Sequence, residues 1–140
     1  MNKGLRIAVV NGGSSAEAEV SRSSAKGVTH ALRENYEHVS SVELDNNLAE
    51  SLAAFSPDVV FPALHGPPGE DGTLQGFLEI LGHPYVGSDV HGSAFAMDKI
   101  VSKSVFREAG LPLIKQTVVT RADGPAGAVN HIVSELGDYV

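Results

Sequence analysis

Cysteine is absent from the sequence, and this excludes disulfide bonds, thiolate zinc sites and cysteine nucleophiles together. Positive charge is also scarce, since 10 Lys and Arg stand against 17 Asp and Glu for a net charge of −7. The basic residues form no cluster that could neutralise a phosphate backbone. We therefore expect no nucleic-acid partner.

Long apolar runs are missing as well. The apolar stretch within "MNKGLRIAVVNGG" is shorter than the hydrophobic region of a signal peptide, and nothing in the chain approaches a membrane span. The sequence therefore predicts a cytoplasmic protein without a membrane partner. Its 140 residues, 42% of them apolar, suit one globular domain and are too few for two ordinary ones.

The remaining pattern is that of an α/β fold. Short β-branched runs alternate with segments of helical period, which predicts a Rossmann-like open parallel sheet with helices on both faces. The expected strands cover residues 5–11, 39–44 and 58–63, with a brief fourth at "HPYVG" and an extended segment at 115–120. The expected helices cover residues 19–34, 48–55, 73–81, 93–109 in one or two pieces, and 125–136.

Two loops are expected to meet at one edge of this sheet. "NGGSSAE" leaves the first strand and "LHGPPGEDGT" leaves the third, both at their carboxyl ends. If the strand order is 2-1-3-4, the loops are neighbours at the switch point where open α/β sheets bind ligands. The crevice would then contain Glu17, His65 and several glycines.

The first loop does not match a phosphate-binding motif. It has neither the G-x-G-x-x-G spacing nor a following G-K-[ST]. Glu17 and Glu19 lie in the first helical turn, where carboxylates complement the helix dipole and repel a phosphate. Two residues apart, they point about 200° from each other, so at most one faces the crevice. The ammonium group of a small substrate suits that carboxylate.

Structural interpretations compete with these roles. Ser14 to Glu17 matches the S-x-x-E capping box, in which Glu17 only reaches back to the helix start. His65 can donate to a substrate carboxylate or phosphate, or can be satisfied by loop carbonyls. Glu70 and Asp71 suit the start of the next helix, with Asp71 near its cap, better than a metal site, and we predict no metal ligands here.

One family resemblance covers residues 5–120. The segments "IAVVNGGSSAEAEVS", "DVVFPALHGPPGEDGTLQGFLEILGHPYVGSDVHGSAFAMDK" and "GLP" resemble, in order, the amino-terminal domain of D-alanine:D-alanine ligases of the ATP-grasp superfamily. The resemblance implies a pre-ATP-grasp, substrate-binding domain at residues 1–120 and the start of the ATP-grasp domain at 121–140. It also implies a homodimer.

The resemblance further implies a reaction for peptidoglycan precursor synthesis. ATP phosphorylates the carboxylate of one D-alanine, the second D-alanine attacks the acyl phosphate, and Mg2+ or Mn2+ neutralises the phosphates. By position, Glu17 corresponds to the catalytic-site glutamate that receives the first ammonium group, and Val20 to a hydrophobic contact beside it. His65 corresponds to a histidine of the same subsite, and Lys99 to an ATP contact.

Other functions stay open at this point. Ala18 and "SDVHGSAF" depart from the family pattern, which leaves room for a D-alanine:D-lactate or other dipeptide ligase. Most family ATP and metal groups would follow Val140, and Tyr139 and Val140 have the pattern of a strand's start. We therefore expect a truncated, inactive fragment, with a stand-alone amino-acid-binding module as the alternative. A dinucleotide-binding oxidoreductase domain is disfavoured by the missing glycine fingerprint.

Overall fold

The computed structural model describes residues 3–137. They form two compact units, one up to Met97 and one from Asp98 onward. The elements of the first unit are β1 (Arg6–Asn11), α1 (Ala18–Arg33), β2 (His38–Glu43), α2 (Leu48–Phe55), β3 (Val59–Pro62), α3 (Thr73–Leu81) and α4 (Val90–Met97). The second unit contains α5 (Lys99–Glu108), a 3-10 turn (Arg121–Asp123) and α6 (Gly124–Leu136).

A parallel sheet of order β2-β1-β3 forms the centre of the first unit. This confirms the first three positions of the expected order. The predicted fourth strand is reduced to one parallel bridge between Val60 and Tyr85. It stays short because Pro84 has no N–H to donate, and because Gly87 turns the chain with a φ of 121°.

Helices cover both faces of this sheet, as the sequence predicts. Ala8 and Val10 of β1 face the cluster that contains the buried leucines of α2 and α3, whereas Ile7 and Val9 face α1. This alternation follows from the two-residue period of a strand. A strand that is apolar on both faces is buried on both, and β1 is accordingly the centre of the sheet.

Helix bounds depart from the predictions mainly where a cap interrupts a periodic pattern. The α2 and α3 helices have the predicted bounds, and α3 ends at Gly82, whose φ is 73°. The predicted helix at 93–109 is two helices because Asp98 is extended and caps α5. Its Oδ1 accepts from the backbone N of Ile100 at 2.8 Å and of Val101 at 3.1 Å.

The second unit contains less regular structure than predicted. No strand forms at residues 115–120 within the described part of this unit. Thr120 instead donates from its backbone N and its hydroxyl to Asp123 Oδ2, which lowers the pKa of that carboxyl and fixes the turn before α6. The predicted domain boundary at residue 120 stays a prediction, and the strand start at Tyr139 lies outside the described residues.

Core packing yields a stability prediction. Leu52 of α2 is fully buried, so Leu52→Ala should lower the free energy of unfolding by about 2 to 5 kcal/mol through lost transfer energy and cavity formation. Ile80 of α3 is 86% exposed, and Ile80→Ala should change it by less than about 0.5 kcal/mol. Urea unfolding followed by circular dichroism measures both, and equal midpoints for the two variants would contradict this core.

Candidate functional site

The loops that follow β1 and β3 lie in contact at the carboxyl ends of the sheet. The hydroxyl of Ser15 donates to the backbone carbonyl of His65 at 2.8 Å. Closer to the strands, the backbone N of Ala63, which directly follows β3, donates to the carbonyl O of Val10 in β1 at 2.8 Å. The neighbouring loops predicted from the strand order are therefore present.

The entry into α1 does not form the capping box that Ser14 and Glu17 suggested. The helix begins at Ala18, and Glu17 is its N-cap residue without a side-chain cap hydrogen bond. Ser15 rather than Ser14 shapes this turn, because its Oγ accepts from Glu17 N at 3.1 Å. From the N-cap position the Glu17 carboxylate is not the reciprocal partner of a capping box, so the capping interpretation is wrong.

The Glu17 carboxylate lies directly beside Gly66 of the second loop. A Cβ built on Gly66 would come within 2.8 Å of Glu17 Oε2, and the φ of Gly66 is +69°, so a glycine is needed here. Within residues 3–137 this carboxylate has no ion-pair or side-chain hydrogen-bond partner. It is exposed and available to a cation.

Glu19 points elsewhere, as the angular argument predicted. It forms an ion pair with Arg22, and its side chain is 86% exposed. Arg22 also binds Glu43 at the end of β2, with Nη2 and Oε1 2.5 Å apart. Arg22 is therefore occupied on the side of the helix away from Glu17.

Glu43 explains the glycine pair of the first loop. Its Oε1 accepts from Gly13 N at 3.3 Å, and a Cβ on Gly12 would fall 1.9 Å from the same oxygen. Hydrogen bonding from Arg22 is the main cause that lowers the pKa of Glu43, and the bond from Gly13 acts in the same direction. The loop thus packs against a carboxylate of the protein itself, in agreement with the absence of a phosphate motif.

His65 is half-buried, and its ring is held by α1. Its Nε2 and the Oγ of Ser24 share a hydrogen bond of 3.0 Å. The ring is therefore bound by a helix hydroxyl instead of the loop carbonyls that the structural interpretation of His65 required. Its Nδ1 has no partner within residues 3–137.

Sequence reasoning missed the serines that join α1 to the second loop. Ser21 is fully buried, donates to Ala63 O at 2.7 Å and accepts from Gly12 N at 2.8 Å. With Glu17 and Ser24 it occupies the spacing i, i+4, i+7, which places all three within about 60° on one helix face. This spacing is the sequence feature from which the shared helix face could have been predicted.

Val20 and Lys99, the other two candidates, differ in their surroundings. Val20 lies on α1 one turn before Ser24 and is 56% exposed. Lys99 belongs to the second unit, where it is the exposed first residue of α5. One turn later, Lys103 donates to the carbonyl of Ile114 at 2.9 Å.

Glu70 and Asp71 shape the second loop. Glu70 Oε2 accepts from Gly66 N at 2.7 Å, and Asp71 Oδ1 accepts from Thr73 N at 3.0 Å, the first residue of α3. Asp71 therefore lies near the helix start, as predicted. Across residues 3–137, no group of three or more acidic or histidine side chains is arranged to hold a metal ion.

Several known proteins are similar to this chain. A family model described as "D-ala D-ala ligase N-terminus" matches residues 39–88. The D-alanine–D-alanine ligase of Moorella thermoacetica is 45% identical over 136 residues, covering 95% of this chain and 44% of that protein. The ligase of Azorhizobium caulinodans is 49% identical over 123 residues, covering 88% of this chain and 40% of that protein.

Solved structures agree with these relatives. The D-alanine–D-alanine ligase of Coxiella burnetii superposes with a TM-score of 0.78 at 29% identity, covering 96% of this chain and 49% of that one. The ligase of Bacillus anthracis, complexed with ATP, superposes with a TM-score of 0.71 at 34% identity, covering 86% and 42%.

Fold and site together define an open parallel α/β domain with an exposed carboxylate and a histidine in the loops at the carboxyl ends of its strands. The Moorella and Azorhizobium ligases are more than twice the length that this chain spans in them, 44% and 40%. The chain is similar to the amino-terminal domain of D-alanine–D-alanine ligases.

The ion pair of Arg22 and Glu43 yields a pH prediction. Both side chains are more than a third exposed and screened by solvent, so Arg22→Gln should lower the free energy of unfolding at pH 7 only slightly. The folded-state pKa of Glu43 lies below its ordinary 4.5, so the stabilisation is present above pH 4.5. It is lost as the pH falls through the lowered folded-state pKa.

Urea unfolding at a series of pH values measures this difference. Lys26→Gln is a matched control, since it removes one positive charge from an exposed position on the same helix. The Arg22→Gln deficit should shrink toward acid pH, whereas the Lys26→Gln effect should change little. A deficit that grows toward acid pH would contradict the role given to Glu43.

Proposed function

We propose that this chain binds the first D-alanine in an ATP-dependent D-alanine:D-alanine ligase. That enzyme joins two D-alanines through an acyl phosphate and releases ADP and phosphate. Similarity to D-alanine–D-alanine ligases supports the reaction class, and the unpaired Glu17 carboxylate carries the assignment of the subsite.

Glu17 suits the substrate ammonium group for electrostatic reasons. An exposed carboxylate with no basic partner in residues 3–137 can accept charge-assisted hydrogen bonds without first breaking an ion pair. The exposed Val20, on the next turn, offers an apolar contact for the substrate methyl group.

His65 suits the other end of the same amino acid. Its ring is anchored through Nε2, and Nδ1 is free of partners within residues 3–137. A donor at Nδ1 can bind the substrate carboxylate, which accepts hydrogen bonds only. An amino acid has an ammonium group for Glu17 and a carboxylate for His65.

In the complete enzyme, ATP would supply the phosphoryl group that activates the first carboxylate, and Mg2+ would neutralise its phosphates. In this chain, Lys99 is our candidate for a phosphate contact, because its ammonium group is exposed and unpaired within residues 3–137. The described residues offer no carboxylate cluster that fits a magnesium ion, so we assign no metal ligand to them.

In this proposal, the oligomeric state and the cellular compartment are those that the family resemblance implies. We place the enzyme in the cytoplasm as a homodimer. Within residues 3–137, none of the helices has the length and apolarity needed to cross a membrane. That observation is compatible with a small, polar substrate dissolved in water.

The proposal predicts a selective effect of Glu17→Gln. In the full-length product of the reading frame that encodes this chain, the variant should raise KM for the first D-alanine by about 10- to 100-fold, since it removes a charged hydrogen-bond acceptor. KM for ATP should change far less. Steady-state kinetics of phosphate release at varied D-alanine and ATP measures both constants.

Glu19→Gln is the matched control, because Glu19 lies two residues away and pairs with Arg22. It should leave both KM values near those of the unmodified enzyme. Equal effects of Glu17→Gln on D-alanine and ATP would contradict the subsite. Saturable, Glu17-dependent binding of D-alanine to a protein that makes no dipeptide would instead support an amino-acid-binding module.

A further inference from the structure

Residues on one face of α1 and at its N-cap contact the loop after β3. The Glu17 carboxylate lies beside Gly66, Ser21 donates to Ala63 O, and Ser24 binds the ring of His65. These three positions thus contact the loop at residues 66, 63 and 65 respectively. Of these three residues, Ser24 is the one that contacts the imidazole ring of His65, which can gain or lose a proton.

Within the described residues, Ser24 and the ring of His65 have few hydrogen-bond partners other than each other. The hydroxyl of Ser24 has no hydrogen-bond partner within residues 3–137 other than His65 Nε2. The backbone of His65 is held separately, because its carbonyl accepts from Ser15. The histidine is therefore fixed at its backbone and at one ring nitrogen, and only Nδ1 is left for a ligand.

We propose that Ser24 is a positioning residue whose hydroxyl donates to Nε2 and so holds neutral His65 with its proton on Nδ1. The Nδ1–H then donates to the carboxylate of the amino acid whose ammonium group Glu17 receives. This inference rests on the proposed function for its substrate. The tautomer itself is a property of this chain and does not depend on catalysis.

The direction of the hydrogen bond matters because a neutral imidazole has one donor and one acceptor nitrogen. With the proton on Nε2, Nδ1 would present a lone pair to a carboxylate that only accepts, and the two would repel. A serine hydroxyl can donate or accept, and only when it donates is Nε2 the unprotonated nitrogen. By donating, Ser24 selects a donor at the nitrogen that faces no partner within residues 3–137.

Imidazole nitrogen NMR on the 15N-labelled 140-residue chain tests the tautomer directly. The His65 signals are assigned by their loss in His65→Gln and are read on the alkaline plateau of the titration. We expect Nε2 to have the shift of an unprotonated nitrogen and Nδ1 that of a protonated one. Ser24→Ala should give the mixed tautomers of a free histidine, and Ser24→Thr should restore the single form.

Ser23→Ala is the matched control, because Ser23 is the exposed neighbour on the same helix and should leave the His65 signals unchanged. Circular dichroism verifies that each variant is folded. A protonated Nε2 in the unmodified chain would overturn the proposal. So would a Ser24→Ala variant, folded by this criterion, with an unchanged tautomer.

Kinetics of the full-length enzyme give the second readout. Ser24→Ala should raise KM for the first D-alanine by roughly 2- to 10-fold, the effect of one neutral hydrogen bond, and leave KM for ATP unchanged. Ser24→Thr should restore it. A tautomer that depends on Ser24, together with D-alanine kinetics that do not depend on Glu17, would count against the proposed function alone.

Discussion

The buried hydroxyl of Ser21 is the interaction on which the site depends. It accepts from Gly12 N after β1 and donates to Ala63 O after β3, so one atom joins the ends of two strands to α1. Without it, two buried backbone groups would lose partners, each at a cost of about 1 to 3 kcal/mol. Because Ser21 fixes the rotation of α1, it also determines which side chains face the loop after β3.

That rotation separates the charges of the first two helical turns. Glu19 and Arg22 lie on one side of α1, where Arg22 is shared with Glu43, and Glu17 lies on the other beside Gly66. Glu43 also accepts from Gly13, a backbone N–H of the kind that binds phosphate in nucleotide-binding loops. The two loops are left with an unpaired carboxylate and an anchored histidine, a combination that suits an amino acid better than a phosphate.

Periodicity and loop position predicted the sheet order and the meeting of the two loops, because hydrophobic patterns act at the scale of whole elements. The sequence failed where tertiary hydrogen bonds compete with local ones. The S-x-x-E pattern predicted a cap by Ser14, but Ser15 donates to His65 O in the other loop and sets a different turn. The role of Ser24 could not be predicted either, since it requires the position of a ring 41 residues away in the chain.

The missing cap is itself informative about Glu17. An N-terminal cap stabilises a helix by about 0.5 to 2 kcal/mol, and α1 forms without such a side-chain contact. Sequences break a local rule of this kind mainly at functional positions, where another interaction compensates. In α1 the compensation comes from Ser21, which secures the helix from its buried side. The exposed carboxylate of Glu17 is therefore free to bind a cation while the helix start stays in place.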